Sequence, residues 1–512
     1  MKKSMLTLFA VVFLCRITTA FTNVSGVIST NTIWDLAGSP YIITGLVTVQ
    51  QATLTILPGV TVKFNDGQEL YVHDSGKLIA LGTVTDSITF MSNSQTPTIG
   101  IYVGIYGMGS SSSPYLMKFN YCNFLYSHYA IYINLGSTSD TLNIKNSTFN
   151  TNTYGLFGQI SGRTGYVDSS NFINNTTGIN TNFMVVTNTI FSSNQKGIDL
   201  ADDGLFTNCK FLSNQTGVFT PANAKFYNCE FISNQRGILP GLNNNIVNCR
   251  IDSNSVYGIL PADWDSIIHC SIKYNKIGIK TSLGNNPVLV SDCEIAYDSV
   301  GVYNSGGQGP LVIQNNSLQF NRIGVEVYHQ SGWLNLIMNE NVFENDSIGF
   351  KVDDMLSISN ISCNKFCNNT YRDVFFHSII AGLNISNNYW CTTDTSMIES
   401  RIFDGHDSSG VHLLTISPVD SLQCYQSITT SAHEVTLLQN TISLYPNPTT
   451  STLTIHQDTY SPSQQIIITD VLGNKVYSQA LNNSTETIDI SQLSSGIYFY
   501  EVSGKRGKIV KE

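Results

Sequence analysis

Residues 207–239 read TNCKFLSNQTGVFTPANAKFYNCEFISNQRGIL. The stretch says the same thing twice. Asn208-Cys-Lys-Phe211 returns as Asn228-Cys-Glu-Phe231, and Asn214-Gln-Thr-Gly217 returns as Asn234-Gln-Arg-Gly237. Written N-x-x-Φ-x-x-N-x-x-G-[IV], with Φ apolar, the pattern extends both ways. Φ falls at Phe149, Phe172, Phe191, Phe211, Phe231, Ile251, Ile272, Ile295, Leu318, Val342 and Phe366, at spacings of 19 to 24 residues, with Phe124 as a degenerate earlier copy. A period of that size marks a solenoid of stacked units. Inside each period apolar residues alternate, as in Gly217-Val-Phe and Ala224-Lys-Phe226. That is a strand period of two, not a helical 3.6. Asn and Gly punctuate the strands, and both tolerate the positive φ that a recurrent corner demands. Asn152, Asn175, Asn194, Asn214, Asn234, Asn254, Asn275, Asn321, Asn345 and Asn369 form a column, with Asp298 as its one substitution. Stacked amides in such a column are expected to bond to the coils above and below.

Composition agrees. Charged residues make up 12% of the 512-residue chain, about half the usual globular share. The formal charge is −10, with no basic block beyond the first residues, so nucleic acid and anionic membrane are poor partners. Lys2 and Lys3, the apolar run from Met5 to Cys15 and Thr18-Thr-Ala20 read as an export signal over residues 1–20, cut between Ala20 and Phe21. No later stretch is long enough to span a bilayer, so no transmembrane segment is expected.

The repeats resemble the right-handed parallel β-helix family of the pectate-lyase-like kind over residues 21–426. Leu54-Thr-Ile-Leu-Pro-Gly-Val-Thr-Val-Lys-Phe64 and Gly76-Lys-Leu-Ile-Ala-Leu-Gly82 are similar to that family's opening coils, and Asn387-Asn-Tyr-Trp390 to its closing coil. The expectation is an all-β chain: a parallel β-helix of about sixteen coils, then a small β-sandwich.

Five cysteines, Cys209, Cys229, Cys249, Cys270 and Cys293, sit two residues before Φ in successive coils. They share a face with Φ and should point inward, one above another. A compact apolar side chain suffices there, so stacked free thiols are expected; paired disulfides are the alternative. Cys367 and Cys391 fall at nearly matching positions of adjacent coils and are the expected disulfide.

Sugar cleavage needs paired carboxylates or an acid–base pair. Asp202-Asp203 faces Ala222 and Asn223, and Asp263 and Asp265 face Leu283 and Asn285, so neither builds a cluster. Lys210, Glu230 and Arg250 form an outward ladder of alternating charge. His329 and Asp354 each lie five residues past their coil's Gly, with Asp353 beside them, and are the weak catalytic candidates against a solvated surface pair. Phe403-Asp-Gly-His-Asp407 faintly resembles the Asp-Pro-His-Asp motif of β-helix uronan epimerases. It lacks the Pro and follows the closing coil, so an end cap is expected there. Tyr257, Tyr274, Tyr297, Tyr303 and Tyr328 are candidate sugar-stacking rings. No metal or cofactor is implied.

Past a polar linker, residues 427–435, the pattern changes. Leu444-Tyr-Pro-Asn-Pro448, Ile466-Ile-Ile-Thr-Asp-Val-Leu-Gly473-Asn-Lys475, Ile488-Asp-Ile-Ser-Gln-Leu-Ser-Ser-Gly496-Ile-Tyr498 and a basic finish at Lys511 are short alternating strands between turns. Residues 436–512 resemble the type A C-terminal sorting domain of the type IX secretion system of Bacteroidota. The resemblance implies that Tyr445, Pro446, Asn447, Pro448, Asp470, Gly473, Lys475, Gly496, Tyr498 and Lys511 carry the sorting signal. It implies export to the outer surface or medium, handling by the type IX machinery and removal of the tail by a sortase-like protease. The functional expectation is a non-catalytic, polysaccharide-binding surface protein. A lyase or hydrolase with a non-standard site, and a passive spacer, are the alternatives.

Overall fold

The computed structural model describes residues 21–420, apart from positions 110–114, 136–140, 161–164, 201, 221, 240, 308, 329–334, 354–358 and 380–381. It also describes 442–511, apart from 446–448, 458–464, 471–474, 482, 484 and 503–504. The leader, Ala20, His329, Asp354, Pro446, Asn447, Pro448 and Gly473 thus lie outside the described residues. Two compact units, Met1–Gln426 and Ser427–Glu512, divide the chain.

One coil shows the plan. Leu205–Thr207, Lys210–Leu212 and Thr216–Phe219 are three short strands, and the chain then returns at Lys225–Tyr227, paired in parallel with Leu205–Thr207. Each coil thus has three faces. The first face is a sheet of fifteen parallel strands. The second and third are one 31-stranded sheet, joined where Tyr41–Gln50 pairs with strands of both faces. About sixteen coils were expected from the repeat; Leu383–Asn384 pairs with Leu414–Thr415 of the cap and not with the first face.

Side chains at one position land over each other. Phe90, Phe124, Phe149, Phe172, Phe191, Phe211 and Phe231 form one buried file with ring centroids 4.5–5.0 Å apart and planes within 11° of parallel. Ile251, Ile272, Ile295 and Leu318 continue it. Phe343, not Val342, comes next, because Leu318 pairs with Phe343 and Phe343 with Phe366. That coil is one residue longer than the count from Val342 implies. The same shift puts Asp346 in the asparagine column and Asn345 at the positive-φ corner beside it.

The repeat's Gly has a reason other than the positive φ expected of it. A Cβ on Gly217 would lie 2.5 Å from the Gly237 carbonyl oxygen in the next coil, and Gly178, Gly197 and Gly237 meet the same limit at 2.3–2.5 Å. The positive φ sits instead on Asn208, Ser213, Asn228 and Ser233, at the corners. There, small side chains with a local hydrogen-bonding oxygen tolerate it.

The buried asparagine column closes the corner between the second and third faces. Asn214 N and Nδ2 donate to Asn234 Oδ1 at 2.9 and 3.0 Å, and Nδ2 donates back to the Phe191 carbonyl at 2.9 Å. The same set recurs from Asn152 to Asn254. The cysteines form a similar column at the corner between the first and second faces. They are more than the apolar filler expected there, because their positions are occupied elsewhere by Ser147, Ser170, Thr189, Asn316, Asn341, Asn364 and Asn388. Like Ser170 and Thr189, Cys209 donates to the carbonyl two residues back. Cys270 N donates to Cys293 Sγ at 3.4 Å, and Cys293 N to Asn316 Oδ1 at 2.9 Å. All five thiols are free and buried, and burial holds those of Cys209, Cys249 and Cys293 above the ordinary thiol range. Cys367 and Cys391 are disulfide-bonded.

Asp298 and Asp346 occupy the asparagine column. Each accepts with Oδ1 from the preceding asparagine, while Oδ2 is buried without a partner. At that point an asparagine carries a donor, aimed at a carbonyl. A carboxyl matches it only when protonated, and burial pushes Asp298 up to about 8 and Asp346 up to about 7.

In the second unit, Ile442–Tyr445, Thr452–Gln457 and Thr485–Asp489 form one antiparallel sheet, and Gln465–Thr469, Lys475–Ala480, Gly496–Val502 and Lys505–Lys511 another. Leu453, Ile455, Ile466, Ile468, Ile488 and Tyr498 pack between them.

Two predictions follow from the ladders. Between the ordinary carboxyl value and the raised ones, the unfolded chain gives up protons that the folded chain keeps, so stability falls as pH rises through that window. Asp298→Asn and Asp346→Asn should each stabilise by about 1–3 kcal/mol at pH 7 and by little near pH 4, read by thermal melts at both pH values. Cys293→Ser should be nearly neutral, whereas Cys293→Ala, which strands the Cys270 amide, should cost about 1–3 kcal/mol in a denaturant titration.

Candidate functional site

On the third face Ile131, Leu156, Ile179, Ile198, Val218 and Ile238 point inward and are buried, so the residues between them point out. In the early coils the outward file is aromatic. Tyr71, Tyr106, Tyr132 and Phe157 are in register, with centroids 5.8, 4.7 and 5.8 Å apart. A second file holds Tyr129 over Tyr154, 5.4 Å apart. Tyr129 stands at 87° to Tyr106 and 71° to Tyr132, so the edges of one file meet the face of the other. Gly104 makes this possible: it is the register partner of Tyr129 at φ +130°, and a Cβ there would lie 1.6 Å from the Tyr129 carbonyl oxygen.

Glu69 and His128 border these six rings. Partial burial raises the Glu69 carboxyl and lowers the His128 imidazole. Burial, with the Glu69 charge beside it, raises the Tyr106 phenol. The platform therefore offers neutral phenols and imidazole among half-buried rings, a surface suited to hydroxyl-rich ligands.

Of the tyrosines read from sequence, Tyr257 is buried, Tyr274 and Tyr297 stand at a corner, and Tyr303 and Tyr328 lie further along the third face. Tyr71, Tyr106 and Tyr132 escaped sequence reading because their separations, 35 and 26 residues, fall outside the repeat period.

Further along the same face the outward file reads Lys280, Tyr303, Glu326, Lys351, Phe375 and Phe403. Lys351 Nζ lies 2.8 Å from Glu326 Oε1 and 2.6 Å from Asp353 Oδ2. Burial opposes its charge, but the bonds to Asp353 and Glu326 prevail and hold the ammonium above the usual lysine range. Asp353 is in register with Tyr328 and His377, and His377 Nδ1 lies 3.9 Å from Asp353 Oδ1. His377 was missed, although it follows Asp353 by one 24-residue coil.

Phe403-Asp-Gly-His-Asp407 belongs to the end cap. Asp404 is buried and accepts from His406 N at 2.8 Å and Leu414 N at 2.8 Å. Its oxygens lie within 4.8 Å of ligand atoms of Glu399 and His406, the one such trio among the described residues. Both oxygens already bind backbone N–H, which is cap chemistry.

The chain is therefore a parallel β-solenoid that carries a separate antiparallel domain. Residues 184–295 match the family model of the right handed beta helix region, and residues 443–512 that of the secretion system C-terminal sorting domain. The sorting domain places the protein among those exported by type IX secretion to the cell surface or beyond it. No helix among the described residues is long and apolar enough to cross a membrane. No curated protein matches the chain. Solved structures to which the chain is similar include the Dettilon tailspike protein (10% identity, 72% of this chain and 62% of that one, TM-score 0.31). PfbA, a surface adhesin of Streptococcus pneumoniae, is another (11%, 64% and 87%, 0.27), as is the periplasmic alginate epimerase AlgG (11%, 72% and 75%, 0.22).

The cap assignment is testable. Asp404→Ala should strand two amides, cost about 2 kcal/mol and open residues 405–420 to limited proteolysis. An unchanged melt and digestion pattern would contradict it.

Proposed function

We propose that this is a non-catalytic exported protein that binds polysaccharide along its third face, with the sorting domain removed by a sortase-like protease during export. The supporting observation is the platform of Tyr71, Tyr106, Tyr129, Tyr132, Tyr154 and Phe157. Half-exposed rings cost solvation and gain it back only against a ligand with an apolar face and many hydroxyls. The platform is shallow and runs from coil to coil, which suits a polymer better than a small molecule.

A second reading, polysaccharide cleavage, draws on the Tyr303, Glu326, Lys351, Asp353 and His377 patch. Against it, the Glu326 and Asp353 carboxylates are both engaged by the one Lys351 ammonium, so neither is free to meet a substrate.

Affinity electrophoresis of the 21–512 chain in gels containing soluble polysaccharides tests the proposal. Retardation by at least one glycan is expected, weakened about tenfold by Tyr106→Ala with Tyr132→Ala. No retardation by any glycan supports the passive spacer instead. Release of reducing ends or unsaturated uronate, abolished by Asp353→Asn or His377→Ala, supports the enzyme.

A further inference from the structure

Tyr274, Tyr297 and Phe320 occupy one corner position in three successive coils, between the second and third faces. In the preceding coils that position is Tyr126, which packs against the core, then Thr151, Asn174, Ser193, Ser213, Ser233 and Ser253, and in the following ones Asn345 and Asn368, all at φ between 54° and 66°. Small residues with a local hydrogen-bonding group tolerate this region, and bulky rings rarely adopt it. Yet the three rings hold φ 57°, 59° and 58°, and are 56%, 46% and 47% exposed. They stack at 5.0 and 5.1 Å, within 9° of parallel. Ser253 and Asn345 flank the ladder, so no ring covers its two end faces. The fold gains nothing from aromatic residues there that serine does not already provide in four other coils.

Two residues further on, across the buried column, the same three coils carry Lys276, Ser299 and Arg322, all exposed. Lys273 is paired with Glu294, but Lys276 and Arg322 make no ion pair among the described residues. In a chain with a net charge of −10, two unpaired cations beside three exposed rings are a local reversal of sign. They are two coils apart, about 10 Å along the axis, with a neutral serine between.

We infer that this corner is a binding site, separate from the aromatic platform, for an acidic polysaccharide that carries one anionic group per disaccharide. The spacing carries the choice of ligand. A coil rise of about 4.8 Å is close to the length of one pyranose in an extended chain. Carboxylates or sulfates on alternate sugars then meet Lys276 and Arg322, and the neutral sugar between them lies over Ser299 and Tyr297. A site that repeats by translation matches a polymer that does the same. A folded acidic protein offers no such repeat.

The test uses the full chain and hyaluronan and unsulfated chondroitin oligosaccharides as probes, with fluorescence anisotropy at low and moderate salt. Binding that weakens with salt is expected, with polygalacturonate, charged on every sugar, and neutral cello-oligosaccharides both weaker. The variants use residues that these columns already carry elsewhere, so folding is preserved. Lys276→Ser with Arg322→Ser, and separately Tyr297→Ser, should each weaken hyaluronan binding about tenfold or more. Tyr297→Ser should melt no lower than the parent chain. Tyr106→Ala should keep full affinity, which separates failure here from failure of the platform. Absence of binding to both hyaluronan and unsulfated chondroitin overturns the inference. So does equal or tighter binding of polygalacturonate, which removes the spacing argument. Loss of binding in the charge variant but not in Tyr297→Ser also overturns it, by reducing the site to unspecific attraction.

Discussion

Asn214 lies where the chain turns a corner inside a solenoid, out of reach of water. Its own amide and the Phe191 carbonyl of the preceding coil must both find partners there, and a buried peptide group left unpaired is costly. One asparagine side chain meets both needs, provided that another asparagine lies directly over it in the next coil. Everything else in the first unit follows from that proviso. If asparagine must sit over asparagine, the coils must stay in register, the phenylalanines must pile into a file, and the glycine must leave its space to the carbonyl of the coil above. Where the column carries Asp298 and Asp346, the same geometry turns a carboxyl into a neutral substitute for an amide.

This constraint also sorts the polar groups. Asp265 caps Asn244 and Ala262, Asp373 holds Arg401, and Asp404 pins the cap, so buried acids are engaged in the scaffold. What remains on the outside is ordered by the same translation: rings over rings on the third face and at one corner, and Lys210 over Glu230 on the second face, 2.9 Å apart. A surface built by repetition has few deep hollows and long straight files. The C-terminal domain marks this surface for export by type IX secretion.

Much of this is legible in the residues because a 20-residue period names the neighbours of each position. Phe191, Phe211 and Phe231 could be stacked by counting alone. Counting fails where a coil lengthens. The step from Leu318 to Phe343 is 25 residues, which moved Val342 and Asn345 one place off their columns. It fails again in the early coils, where inserted loops separate Tyr71, Tyr106 and Tyr132 by more than a period and hid the aromatic platform. A period says which residues are stacked but not what they face. The cysteine column was therefore found, while its bonds to corner carbonyls were not. His377 was within reach, one coil past Asp353. The sorting domain was legible from its strand order and turn motifs, which need no register.

Amide hydrogen exchange, measured residue by residue on the folded chain, tests the stacked-amide account most directly. Corners of ordinary surface loops exchange quickly. Here the backbone amides of Asn152, Asn175, Asn194, Asn214, Asn234 and Asn254, each donated to the side chain in the next coil, should be as protected as those of the buried strands. Fast exchange at these six positions, with the strands on either side protected, would contradict the claim that the asparagine column holds the coils together.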